Sequence, residues 1–121
     1  MRFVGVEQDS LVLEDETLVG LDLESSLVEA GYLVTLTRSC AEADVFLANN
    51  HPDLAILDVR LSDGECVAAA RGLVERGVAF IVHTGLLSAS HDPVFDLGMI
   101  VNKPASTDAI IRLAASLPAK A

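Results

Sequence analysis

No run of apolar residues in this 121-residue chain approaches the ~20 needed to cross a bilayer. The opening stretch, Met1-Arg2-Phe3-Val4-Gly5-Val6-Glu7-Gln8-Asp9, acquires acids too early for a secretory signal, so the cytoplasm is the expected location. Basic residues are scarce: eight lysines and arginines stand against 18 acids, for a formal charge of -10. The imbalance is concentrated in residues 1–50, where ten acids face only Arg2 and Arg38. Such a surface repels phosphate backbones and argues against direct nucleic-acid binding, while suiting a metal cation or a basic partner patch. Cysteine is limited to Cys40 and Cys66, 26 positions apart, with no CxxC or Cys/His cluster. Each is expected to be a small helix residue rather than a metal ligand or a disulfide partner. Low-complexity tracts are also missing, and 51% apolar content in a chain of this length supports one domain with a conventional core.

What is present is alternation of strand and helix signals. Ser10-Leu11-Val12-Leu13 reads as a strand ending in Glu14-Asp15-Glu16, with residues 1–9 as its extension or a leader that includes Phe3, Val4 and Val6. Thr17 to Ala30 carries apolar residues near helical spacing and stops at Gly31. Tyr32 to Thr37 is β-branched and aromatic; Ser39 with Glu42 forms a capping box for a helix to about Asn49, with Ala43, Phe46 and Leu47 on one face. Pro52 breaks that helix. Leu54-Ala55-Ile56-Leu57-Asp58 has no polar alternation, the pattern of a strand covered on both faces.

Gly64 to Arg76 is expected as a helix turning Val67, Ala70, Leu73 and Val74 inward, with Gly77 as its stop. Val78 to Val82 is another buried strand, ending in His83-Thr84-Gly85. Ser88, Ser90 and Pro93 leave room for only a short helix over 86–97. Met99-Ile100-Val101 forms a fifth strand before Asn102-Lys103-Pro104; Ser106 or Thr107 then caps a last helix, and Pro118 closes it. Five strands alternating with helices predict a doubly wound α/β fold, a parallel sheet in the flavodoxin-like order 2-1-3-4-5 with helices on both faces.

In that order the first and third strands are neighbours at the switch point, so Glu14, Asp15 and Asp58 converge, with Thr84 and Lys103 on the rim. Helix capping alone would account for Glu14-Asp15-Glu16, because acids favour helix N-termini. With Asp58 opposite, however, the carboxylates repel one another unless a cation joins them, and an oxygen-only set suits Mg2+, with Mn2+ as a substitute. Such a site invites a phosphoryl group, for which a carboxylate can act as nucleophile and a lysine as counter-charge. His83 reads as a packed strand residue, and His51 and His91 as surface loop residues.

These pieces together resemble the response regulator receiver domain of two-component signalling. The likeness rests on Leu11-Val12-Leu13-Glu14-Asp15-Glu16, Leu57-Asp58 with Leu61-Ser62-Asp63-Gly64, His83-Thr84-Gly85 and Asn102-Lys103-Pro104, and covers residues 10–117. The resemblance implies that Asp58 accepts phosphoryl from a histidine kinase or histidine phosphotransfer protein. It also implies that Glu14, Asp15, Asp58 and the Arg60 carbonyl hold Mg2+, and that Thr84 and Lys103 contact the phosphoryl group. A cis bond before Pro104 would orient the lysine. Ile100 stands where the family commonly has an aromatic switch residue, and the interval from Thr84 to Lys103 is short. Thr84-Gly85 with that short interval is similar to an atypical subgroup whose motif runs Phe-Ala-Thr-Gly, from which Phe80 and His83 depart. Switching is therefore expected in the 85–97 loop.

The resemblance makes the chain a signalling switch, not an enzyme beyond catalysing its own phosphorylation and dephosphorylation, acting by contact with an unidentified protein. A piece of a larger regulator or hybrid kinase would look the same, and homodimerisation is left open. Two rival readings remain: a degenerate receiver that docks partners without phosphorylation, and an aspartate-nucleophile phosphatase. The phosphatase is disfavoured because Arg60, not a second Asp, lies two residues after Asp58.

Overall fold

Apolar runs too short for helices become the strands. The computed structural model describes residues 8–85 and 91–117. The expectations for Phe3, Val4, Val6, Ser88, Ser90 and Pro118 lie outside them. In chain order the elements are β1 (Asp9–Leu13), α1 (Thr17–Glu29), β2 (Leu33–Thr37), α2 (Cys40–Asn49), β3 (Leu54–Leu57), β4 (Arg60–Leu61), β5 (Gly64–Glu65), α3 (Val67–Glu75) and β6 (Ala79–Thr84). A short 3-10 helix (Pro93–Leu97), β7 (Met99–Asn102) and α4 (Thr107–Ser116) complete the series. The main sheet is parallel with order β2-β1-β3-β6-β7, which is the expected 2-1-3-4-5 arrangement once the small β4–β5 hairpin is set aside. Among the described residues no helix is long and apolar enough to cross a membrane.

Successive strand residues face opposite sides of a sheet, and the two cores follow that alternation. Leu11, Leu13, Ala55, Leu57, Phe80 and Val82 pack with Ala43, Leu47, Ala70, Leu73 and Phe95 on the α2/α3 side. Val12, Leu54, Ile56 and Ile81 pack with Leu23, Leu27, Ile110 and Ala114 on the α1/α4 side. A strand buried on both faces has no position for a polar residue, hence the unbroken Leu54–Leu57 run.

Helix ends follow their local chemistry. Ser39 Oγ accepts the Glu42 N–H at 3.1 Å, while the Glu42 carboxylate accepts the Arg38 N–H at 2.6 Å. Ser106, rather than Thr107, caps α4 by accepting the Ala109 N–H. Gly31 and Gly77 take positive φ of 101° and 68°, and the following residues, Tyr32 and Val78, donate back to Leu27 and Leu73 carbonyls. This is the reciprocal closure that needs glycine just beyond a helix.

The 64–76 region corrects the sequence-based expectation. Gly64 and Glu65 pair antiparallel with Leu61 and Arg60, so α3 begins only at Val67 and Cys66 becomes its N-cap. The later start rotates the buried stripe to Cys66, Ala69, Ala70 and Leu73, leaving Val74 40% exposed rather than inward. It also brings Cys66 against Cys40 in the first turn of α2, and the two form a disulfide with Cα atoms 5.0 Å apart. Their assignment as unpaired helix residues is thereby overturned. The segment before β7 is the 3-10 helix, whose Phe95 is fully buried beneath α3.

Two substitutions test this packing. Phe95→Ala should lower unfolding free energy by about 3–5 kcal/mol in a urea titration, because it empties a filled core position. A Cβ at Gly98 would lie 2.5 Å from the Phe80 ring and 2.8 Å from its carbonyl oxygen. Gly98→Ala should therefore cost about 1–3 kcal/mol in the same measurement, through forced displacement of β6.

Candidate functional site

Register assembles the site. Leu13 pairs with Leu57, so Glu14 and Asp58 leave the sheet side by side; Thr84 pairs with Asn102, so Lys103 leaves next to them. Backbone bonds continue the ladder past the strand ends: the Glu14 N–H donates to Thr37, Asp58 to Leu13 and Lys103 to Thr84, at 2.8–3.0 Å. The peptide joining Lys103 to Pro104 is cis, as the resemblance implied.

Lys103 Nζ is the centre of the cluster. It lies 2.9 Å from Asp58 Oδ2, 2.9 Å from Glu16 Oε1 and 3.0 Å from Glu14 Oε1. Glu14 is almost fully buried, the Asp58 and Lys103 side chains are largely so, and Glu16 is exposed. Burial raises the Glu14 pKa, against the lowering effect of its hydrogen bond with Lys103. Burial also disfavours the Lys103 ammonium, but hydrogen bonds to Asp58, Glu16 and Glu14 outweigh it and hold that pKa above the ordinary lysine value. The ammonium is thus firmly charged.

Oxygens of Glu14, Glu16 and Asp58 lie within 4.8 Å of one another. Three carboxylates around one ammonium leave an excess of negative charge, and the donors are all hard oxygens, so a divalent cation such as Mg2+ fits the group. Asp15, expected among the ligands, is half-buried and does not belong to this trio. Glu16 belongs instead, and the sequence marked it only as one of three consecutive acids. As the N-cap of α1 it makes no capping bond through its side chain, which reaches Lys103. The helix-capping reading of the acids therefore fails at this residue.

Glu16, Asp58, Arg60, Thr84, Gly85 and Lys103 line a crevice of about 220 Å³. Thr84 is buried there, and the Arg60 guanidinium is drawn aside into a 3.0 Å bridge with Glu65 across the β4–β5 hairpin. A larger cavity of about 400 Å³ opens on the α1/α4 side and shares Glu16 and Lys103 with the crevice. His83 borders it, buried as expected, but neither ring nitrogen has a partner among the described residues. Burial and the nearby Lys103 push its pKa down, keeping the imidazole neutral. An unpaired buried polar group of this kind costs about 1–3 kcal/mol. His51 is exposed; His91 pairs with Asp96 at 3.0 Å.

No protein-family model matches the chain. It is 36% identical over 79 residues to the transcriptional regulatory protein PdtaR of Mycobacterium tuberculosis, a match covering 64% of this chain and 38% of that protein. The chain thus spans well under half the length of that relative. Among solved structures it resembles the non-phosphorylated HemR receiver domain from Leptospira biflexa, at 28% identity and TM-score 0.77 over 93% of this chain and 97% of that one. The fold is also that of the response regulator TrrA from Thermotoga maritima, solved in complex with Mg(2+)-BeF (21% identity, TM-score 0.79, 92% and 99% coverage). The sheet order, the acid–lysine cluster at its carboxyl edge and these likenesses are those of a response regulator receiver domain.

Proposed function

We propose that Asp58 is the phosphoacceptor of a two-component phosphorelay, taking its phosphoryl group from a histidine kinase or a histidine phosphotransfer protein. The observation that carries the reading is the 2.9 Å contact between Lys103 Nζ and Asp58 Oδ2 in a crevice that Thr84 also borders. A carboxylate oxygen of Asp58 attacks phosphorus in line; the bond from phosphorus to the donor imidazole breaks, and the imidazole leaves neutral after taking a proton. Lys103 then turns from the carboxylates to the phosphoryl oxygens, and the Thr84 hydroxyl donates a hydrogen bond to one of them.

Glu14 and Asp58 would hold Mg2+, with Asp15 and the Arg60 carbonyl as further donors and Glu16 within reach. Bound there, the cation neutralises carboxylate and phosphoryl charge. Receiver domains are switches rather than classical enzymes, and this one signals by protein contact. The aspartate-nucleophile phosphatase gains nothing from the geometry, because Arg60 is engaged with Glu65 and no second carboxyl follows Asp58 by two residues. We further propose that residues 10–117 form the one receiver core, that the protein acts in the cytoplasm, and that its charge of -10 keeps it from touching nucleic acid itself.

Titration with beryllofluoride, a phosphoryl mimic, tests the reading by amide NMR. With Mg2+ the wild-type protein should show saturable shifts at Asp58, Thr84 and Lys103, abolished by EDTA and by Asp58→Asn. Absence of shifts at saturating mimic would favour the phosphorylation-independent docking reading. Lys103→Ala should slow phosphoryl uptake from a small donor about 10²-fold or more, as expected for loss of one charge-stabilising group. Phosphorylation kinetics followed by quenched intact-mass measurement would read this.

A further inference from the structure

The Cys40–Cys66 disulfide occupies a position with more consequence than a staple between surface loops. Cys40 is the first residue of α2 and Cys66 the N-cap of α3, so the bond ties two helix N-termini together. Between them in sequence lie β3, Asp58 and the β4–β5 hairpin. The Cys66 N–H donates to the carbonyl of Val59, the residue after Asp58, at 3.2 Å. The hairpin it anchors carries Arg60, which borders the Asp58 crevice, and Glu65, which accepts the Asp92 N–H at the start of the 3-10 helix.

The two sulfurs are not equivalent. Cys66 is 1% exposed, whereas Cys40 is partly open to solvent. The N-terminus of α2 is already supplied with acceptors: Ser39 takes the Glu42 N–H, and the Asp63 carboxylate takes those of Cys40 and Ala41 at 2.8 and 3.1 Å. At the N-terminus of α3, by contrast, Cys66 makes no capping bond through its side chain, and no side chain among the described residues takes its place. A thiolate released at Cys66 would therefore sit at the positive dipole end of α3, beside its first-turn N–H groups, where an anion is favoured, which makes it a good leaving group.

We infer that Cys40–Cys66 is a thiol–disulfide exchange site, a redox latch that controls the mobility of the loop following Asp58. A thiolate of a dithiol reductant attacks Cys40 Sγ; the S–S bond breaks and Cys66 leaves as thiolate. The second thiol of the reductant then attacks the mixed disulfide, releasing Cys40 and leaving the reductant as its own disulfide. Two electrons pass to the cysteine pair, and the two reductant protons go to the new thiols or, for a thiolate at Cys66, to solvent. In the reduced state α2 and α3 are no longer joined covalently, Cys66 caps α3, and the hairpin is tied to its neighbours by the hydrogen bonds of Asp63 and Glu65. The inference does not depend on phosphorylation of Asp58, and its test uses no phosphodonor.

Native protein equilibrated in dithiothreitol of graded oxidation would be trapped with iodoacetamide, and its mass and amide hydrogen exchange measured. The expected result is full, reversible reduction without denaturant, Cys40 alkylated before Cys66, and exchange at residues 59–66 faster by about tenfold in the reduced form. Cys40→Ser should reproduce the fast exchange under oxidising conditions. Reduction only after unfolding would overturn the inference, as would native reduction that leaves exchange at 59–66 unchanged, or a pair that stays unbridged in oxidised dithiothreitol.

Discussion

One ammonium group holds the carboxyl edge of this sheet together. Glu14, Glu16 and Asp58 would repel one another at the distances observed, and Lys103 supplies the charge that lets them coexist. The partners are delivered by three strand ends, Glu14 and Glu16 after β1, Asp58 after β3 and Lys103 after β7, so the cluster depends on the β1–β3 and β6–β7 registers. The dependence runs the other way too, since a buried Glu14 without Lys103 would be a charge taken from water with little to compensate it. A single positive charge does not balance three carboxylates. The residual negative charge is what suits this edge of the sheet to a cation.

The rest of the molecule serves to keep those strand ends in place. Two apolar cores clamp the sheet from opposite faces, and glycines at positive φ end α1 and α3 so that the chain can turn directly into the next strand. Beside this rigid frame, the hairpin of residues 60–65 is slight: it has two paired residues on each side, and side-chain contacts join it to α2 and to the 3-10 helix. Motion near Asp58 is therefore expected in the hairpin before the sheet. With Ile100 nearly half exposed on the edge strand, no buried aromatic is there to couple Thr84 to the surface.

Much of this was legible in the sequence because the signals are local. The unbroken apolar run Leu54–Leu57, the Ser39/Glu42 box and the stops at Gly31 and Gly77 each act within a few residues, and the strand order follows from handedness once the alternation is recognised. The pairing of Lys103 with Asp58 was legible only through that topology. What escaped depends on phase and on long-range geometry. A two-residue hairpin has too few positions to show periodicity, so α3 was expected three residues early, and with it went the inward face of Val74 and the disulfide. The choice of Glu16 over Asp15 in the acid trio turns on side-chain direction at a helix start, which spacing along the chain does not encode.

The central claim is that Asp58 accepts a phosphoryl group in a cation-dependent site. The most direct measurement is intact mass after brief incubation with Mg2+ and acetyl phosphate, followed by rapid acid quench, on wild-type and Asp58→Asn protein. The account predicts one added phosphoryl group on the wild type, none on the variant and none with EDTA present. An equal adduct on Asp58→Asn, or no wild-type adduct at the shortest quench time, would contradict it.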